Sequence, residues 1–237
     1  MKELYLCGRN TVIDAIKNNF PISCVYVQSL PHANKIKELS NKIKIEIKDA
    51  NFFQTYKNEN HQGYVALLKD FPIYDLESIK HDKPNNVLIL DHIQDPHNFG
   101  AILRTANAAG IKHIIIPKER SADITPTVLK ISSGGFIGVK IIKVNSIVAS
   151  IEKLQKWDFW IYASALEQKS LPHNQITYNK PSCLVVGNEE SGVSKSVLNA
   201  ADQIIHIDQF GTVQSLNVSV ATGILLFELI KNEKAEN

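Results

Sequence analysis

From Val87 onward, short aliphatic and β-branched runs recur between stretches with helical spacing: VLILD, HIIIP, VKIIKV, FWIYAS, CLVVG and QIIHI. Runs that are apolar at nearly every position belong to strands covered on both faces. Their alternation with helical patterns predicts an α/β fold built on a parallel sheet. The helices expected between them span Phe99–Ala109, Pro126–Ser132, Ile147–Lys156, Ser194–Ala201 and Leu216–Lys231. Residues 1 to about 68 repeat the alternation on a smaller scale. GRNTVIDAIKNNF carries Val12, Ile13 and Ile16 on one helical face, CVYVQ is strand-like, and HANKIKELSNK is a basic surface helix. KIEI alternates as a strand, NFFQTY is a helical turn, and YVALL is a closing strand. Between the halves, KDFPIYDLESIKHDKPNN holds Pro72 and Pro84 and loses periodicity, which reads as a linker with one short helix at Leu76–Ile79. The expected division is a domain at 1–70, a linker at 71–85 and a larger domain at 86–237.

Composition narrows the class without choosing a function. Of the 237 residues, 44% are hydrophobic and 21% charged, as in an ordinary globular protein with a real core. A net charge of +2 is too small to argue for nucleic acid, so an RNA partner would have to meet local charge. Cys7, Cys24 and Cys183 form no CxxC pair, which points to a reducing compartment and away from a disulfide framework. The eight histidines show no HxxxH or HExxH spacing, so no metal is expected. The opening MKELYLCGRNTVIDAIKNNF lacks a signal-peptide core, and no apolar run approaches the ~20 residues that span a bilayer. A cytoplasmic protein without a membrane partner is the expectation.

Three clusters could carry chemistry. In DPHNFGAILRTANAAG, Phe99, Ile102, Leu103 and Ala106 follow the spacing of a buried helix face, and Arg104 falls off it. Asn98 reads as the N-cap, and a long Arg104 leaning toward the N-terminus could close much of the ~9 Å back to it. Alternatively Asn98 only caps and Arg104 is a solvated surface residue. In CLVVGNEESGVSKSV a strand runs into Gly187, then a turn bearing Glu189 and Glu190, at the sheet edge where α/β proteins bind ligands. Two such glutamates can equally be merely solvated. In QSLNVSVATGILLFELI, Ser215 and Asn217 flank Leu216 at a helix entrance, and Leu216, Val220, Ile224 and Phe227 form an apolar face. GGFIG at 134–138 precedes a strand and so fails as a dinucleotide loop; it reads as a turn packed against the sheet.

Taken together, DPHNFGAILRTANAAG, LVVGNEESGV and QSLNVSVATGILLFE resemble, in order, the three motifs of the SpoU class of ribose 2′-O-methyltransferases in the SPOUT superfamily. CGRNTVIDAI and HQGYVA resemble that family's small L30e-like substrate-binding domain, typical of RlmB-type enzymes that methylate a guanosine ribose in 23S rRNA. The resemblance implies a SPOUT α/β-knot, a deep trefoil knot at the C-terminus, with S-adenosylmethionine bound there at a homodimer interface. It also implies that Asn98, Arg104, Glu189, Ser215 and Asn217 are catalytic, and that Gly187, Ile207 and Leu216 contact the cofactor largely through backbone. Where relatives commonly read Ile-Pro-Met, this chain reads Ile207-Asp208-Gln209-Phe210.

On this reading a ribose 2′-hydroxyl attacks the sulfonium methyl in line. Arg104 either takes the hydroxyl proton or holds the target phosphate and activates the hydroxyl electrostatically. Arg9, His61 and Gln62 are the candidate RNA contacts; the alternative for the last pair is a turn at Gly63 that His61 caps. The runner-up substrate is tRNA, disfavoured by the short, nearly neutral tail KNEKAEN. A catalytically silent RNA-binding protein would have no need to keep all five polar positions. A nucleotide-dependent oxidoreductase would need a glycine fingerprint that is missing.

Overall fold

The computed structural model describes residues 3–231 and 233. The first unit contains β1 (Tyr5–Cys7), α1 (Arg9–Lys17), β2 (Ile22–Val27), α2 (Leu30–Leu39), β3 (Lys44–Ile47), α3 (Ala50–Gln54) and β4 (Tyr64–Leu68). Its sheet runs β1-β4-β2-β3, with β4 antiparallel to both neighbours and β2–β3 parallel. Leu6, Val25, Val27 and Ala66 pack into one core with Val12, Ala15 and Ile16 of α1 and Ala33 and Ile36 of α2. β1 is three residues long, too short to show a period, and the sequence pattern gave no sign of it.

The second unit contains β5 (Ile73–Tyr74), α4 (Glu77–Asp82), β6 (Asn86–Asp91), α5 (Pro96–Ala108), β7 (His113–Pro117), α6 (Pro126–Ile131) and β8 (Lys140–Val144). It continues with α7 (Ile147–Gln155), β9 (Trp160–Ser164), β10 (Leu171–Pro172), β11 (Ser182–Gly187), α8 (Lys195–Ala200), β12 (Gln203–His206) and α9 (Val218–Leu229). The eight-stranded sheet runs β10-β12-β9-β11-β6-β7-β8-β5, every pairing parallel. Alternate residues of one strand serve opposite cores. Leu88 and Leu90 of β6 join α5, α6 and α9 on one face, whereas Val87 and Ile89 join α4, α7 and α8 on the other. That two-sided burial is why the strands read as unbroken apolar runs.

The segment expected to be a linker is built into this sheet. Ile73 and Tyr74 pair in parallel with Ile141 and Ile142 of β8, and α4 buries Ile79 completely. A two-residue edge strand has no period to read, and Pro72, just ahead of it, needs no ladder bond there. The two units also touch. Phe136, in the turn after α6, is fully buried with its ring 5.2 Å from Phe20 and 6.1 Å from Phe71. Lys130 of α6 reaches Glu59 at 3.1 Å and the carbonyl of Asn58 at 3.0 Å. Most of the tail read as nearly neutral, 232 and 234–237, lies outside the described residues. Among the described residues no helix is long and apolar enough to cross a membrane.

Candidate functional site

All strands of the large sheet point the same way, so the loops after β6, β11 and β12 emerge at one edge. From β6 the chain winds outward through β7 and β8, then crosses to the other side, where β11 returns to pair with β6. Asp91 and Gly187 end these two central strands in register. A parallel sheet opens a crevice where its winding reverses, and the chemistry-bearing loops flank that crevice.

Three of the five expected catalytic residues meet there. Asn98 Nδ2 donates to Glu189 Oε1 at 2.8 Å, and Asn217 Nδ2 donates to Asn98 Oδ1 at 2.9 Å. Asn98 is buried; Glu189 and Asn217 are exposed. The expectation that Asn98 caps its helix is corrected. Asp95 is the N-cap, its side chain accepting from His97 N at 3.0 Å, with Pro96 at the first helical position. The cap role therefore falls three residues earlier, and the Asn98 amide is turned to the neighbouring loops. Asn217 does cap, accepting from Ser219 N at 2.9 Å and from Ser219 Oγ at 2.6 Å. Its amide group thus spans α9 and α5 at once.

The Glu189 loop is held by residues that the sequence reading passed over. Asn188 Oδ1 accepts from the backbone of Glu190, while Asn188 Nδ2 donates to the His92 carbonyl at 2.9 Å and to Glu189 Oε2 at 3.2 Å. Asp91 is buried, bonds His92 Nδ1 at 2.6 Å and accepts from Ser194 N at 2.8 Å, tying the loop's far end to β6. A polar residue closing the apolar run VLILD was the available signal. A Cβ on Gly187 would lie 2.1 Å from Gly192 C and from Val193 N, so the chain's own backbone fills the space that glycine leaves.

Arg104 does not lean back to Asn98. Six residues turn it about 120° around the helix; it is exposed and faces a polar cavity of about 420 Å³, lined also by Asp14 of α1, by Asn18 at the end of that helix, and by Ser133 and Gly134. Ser215 is exposed, Ile207 and Leu216 are half-buried, and Phe210 in the departing loop is 96% exposed. The apolar face Val220, Ile224 and Phe227 of α9 is exposed, while Val218, Thr222, Leu225, Leu226 and Leu229 are buried.

In the small unit, Gln62 Oε1 accepts from Arg9 N at 3.2 Å, capping α1 where Gly8 has no side chain to do so. His61 Nδ1 accepts from Gly63 N at 3.0 Å, and its ring stacks on Phe53 at 4.9 Å, so the capped turn is what the structure shows for His61. Arg9 and Gln62 both border an open cavity of about 620 Å³.

With that geometry in place, sequence comparison decides the family. The profile of the SpoU rRNA methylase family matches residues 85–227, and that of the RNA 2′-O ribose methyltransferase substrate-binding domain matches residues 5–74. The chain belongs to the SpoU rRNA methylase family. It is 35% identical over 256 residues to the 23S rRNA (guanosine-2′-O-)-methyltransferase RlmB of Blochmanniella floridana, covering 100% of this chain and 98% of that one. It is 33% identical to a Staphylococcus saprophyticus protein named as a TrmH family tRNA/rRNA methyltransferase, covering 98% and 96%. The AdoMet-bound rRNA methyltransferase structure from Sinorhizobium meliloti superposes with a TM-score of 0.83 at 25% identity, covering 99% of this SpoU chain and 89% of that one. As a SpoU protein the chain falls among RNA 2′-O-methyltransferases, and the Asn98–Glu189–Asn217 convergence lies within the matched methylase region.

Proposed function

We propose that this SpoU protein methylates the ribose 2′-hydroxyl of a guanosine in 23S rRNA, with S-adenosylmethionine as donor. The observation carrying the proposal is the hydrogen-bonded chain Asn217–Asn98–Glu189, which brings residues from three separate segments to the sheet's switch point. The guanosine and 23S assignments rest on the RlmB relative, and the donor on the AdoMet-bound neighbour. The polar loop 188–192 and the exposed apolar side chains of Phe210 and Val213 fit a ligand with a charged tail and a flat ring. Ile207 and Leu216 would hold it, together with the backbone of Gly187. When bound, it supplies a methyl group already activated by positive sulfur.

The protein's tasks are then alignment and management of one proton. Asn98 fixes Glu189 and Asn217 relative to each other, so the ribose meets a preset pair of polar groups. A free guanidinium releases its proton only near pH 12.5 or above, so Arg104 is assigned to a bidentate grip on the target phosphate, which eases loss of the hydroxyl proton to solvent water as the oxygen takes the methyl. Ser215 lies in the same entrance and would face the ribose. In this reading the loops after β11 and β12 form the family's deep trefoil knot. The exposed stripe Val220, Ile224 and Phe227 is the surface on which a second copy packs, making a homodimer. Arg9 and Gln62 stand as the RNA contacts of the small unit and border its open cavity, while His61 holds the Gly63 turn beside them.

The test is transfer of labelled methyl from S-adenosylmethionine to unmodified 23S rRNA and to tRNA transcripts, with the product nucleotide mapped. A 2′-O-methylguanosine in 23S rRNA is expected. Transfer to tRNA alone overturns the substrate, and no transfer to either overturns the activity. Single-turnover rates should collapse for Arg104→Ala and recover in part for Arg104→Lys.

A further inference from the structure

The cavity beside Arg104 is one of three that join end to end along the seam between the two units. The first, about 620 Å³, lies on the small unit and is bordered by Arg9, Asn10, His32, Lys35, Gln62 and Tyr64, with the His32 ring 4.6 Å from that of Tyr64. The second, about 290 Å³, shares Asn10 and Gln62 with the first and adds Lys130 and Ser133 of the large unit. The third, about 420 Å³, shares Ser133 with the second and ends at Arg104 and Asn107. One side of this path is a single stripe of α1 and its C-cap: Asn10, Asp14 and Asn18 are spaced four apart, all exposed, and span about 12 Å.

The charge of the path favours a polyanion. Arg9, Lys35, Lys130 and Arg104 border it, against Asp14 and Glu59. Glu59 and Lys130 neutralise each other at 3.1 Å, which leaves Arg9, Lys35 and Arg104 against Asp14. Among the described residues Lys35 pairs with Glu38, in an exposed pair that is worth little. The whole chain carries a net charge of only +2, so an RNA partner needs local positive charge, and this path holds some. The path is a run of three small hollows that share lining residues, which suits splayed nucleotides of a single strand better than a rigid duplex.

We propose that a single strand of RNA lies along this seam, from the Arg9–Lys35 cavity past Asn10 and Ser133 to Arg104. The small unit thereby delivers the strand to the site as well as gripping it. Asn10, Lys35 and Ser133, none of them in the hydrogen-bonded core of the site, are then residues that position substrate. The proposal rests on the RNA methyltransferase reading above.

The test places a negative charge at each station. Asn10→Asp, Lys35→Glu and Ser133→Asp are compared with Lys156→Glu, an exposed position at the end of α7 away from the path. Ser133 has a left-handed backbone that Asp tolerates. Each of the three should raise the KM for unmodified 23S rRNA about tenfold, and Lys35→Glu should also lower the salt slope of RNA affinity by about one. Affinity for S-adenosylmethionine, measured on the RNA-free protein, should hold, and Lys156→Glu should behave as wild type. Unchanged KM in all three variants, or an equal rise in Lys156→Glu, overturns the seam path while the methyltransferase reading stands. A wild-type protein that transfers no methyl to RNA overturns both.

Discussion

Asn98→Asp is the sharpest perturbation of the site, because it changes one atom and reverses one interaction. The variant keeps an oxygen for Asn217 Nδ2, 2.9 Å away, but replaces the amide nitrogen 2.8 Å from Glu189 Oε1 with a second carboxylate oxygen. Two unit charges at that distance repel by about 1.5 kcal/mol in the dielectric of water and about 6 kcal/mol at an effective dielectric of 20. Glu189 is exposed, so the lower figure is the closer guide, and loss of the hydrogen bond adds about 1 kcal/mol. A total of roughly 2–4 kcal/mol, if it falls on the transition state, slows methyl transfer about 30- to 1000-fold. Lowering the pH allows the carboxylate pair to share a proton, and the resulting O–H restores a donor where the amide stood. The Asn98→Asp defect should therefore shrink as pH falls from 8 to 5.5 in a single-turnover assay on 23S rRNA, while the Asn98→Ala defect should not. Wild-type rates in Asn98→Asp, or matching pH profiles in the two variants, would refute an orienting role for the Asn98–Glu189 contact.

Three further outcomes follow from other parts of the molecule. Gly187→Ala drives a Cβ to within 2.1 Å of Gly192 and Val193 backbone atoms and should cost about 3 kcal/mol or more, read as a lower urea midpoint; an unchanged midpoint would show that the loop yields freely. Burial lowers the pKa of His113, and the Lys140 ammonium, helped by His113, lowers that of Asp82. Both folded values lie below the unfolded ones, so the stability they confer is full above about pH 6.5 and is lost as pH falls, first through His113 and then, below about pH 4, through Asp82. The wild-type Tm should drop between pH 7 and 5, and His113→Gln should flatten that drop; parallel curves would exclude His113 as its source. Phe227→Asp, on the exposed stripe of α9, should convert a dimer to a folded monomer in sedimentation while circular dichroism is kept, and a wild-type protein that sediments as a monomer would remove the dimer from the proposal.

The sequence disclosed the large sheet well because its strands are buried on both sides, so nearly every position of VLILD or CLVVG is apolar. It disclosed the edges poorly. β5 and β10 are two residues each, and pairing with β8 and β12 is a property of the sheet and not of their composition. At α5 the apolar spacing beginning at Phe99 outweighed the Asp95–Pro96 pair, although Pro at the first helical position is the stronger sign of a start. That shift of three residues turned a buried orienting amide into a supposed cap. Distance along the helix alone brings Arg104 toward Asn98, whereas rotation around the helix puts its side chain on another flank.

On α9 periodicity could not have chosen between faces, because a helix that is apolar all round has no polar side to mark the exterior. The apolar stripe Val220, Ile224 and Phe227 is the exposed one, and the proposed homodimer would cover it with a second chain, which intrachain spacing does not encode. The same limit applies to the site. Asn98 meets residues 91 and 119 positions away, and no local pattern links those distances. Each motif alone was explicable as a cap or a solvated turn. Their meeting follows from the parallel winding, which sends every strand's carboxyl end to one edge and so makes neighbours of loops whose only common feature in the sequence is a short polar side chain after an apolar run.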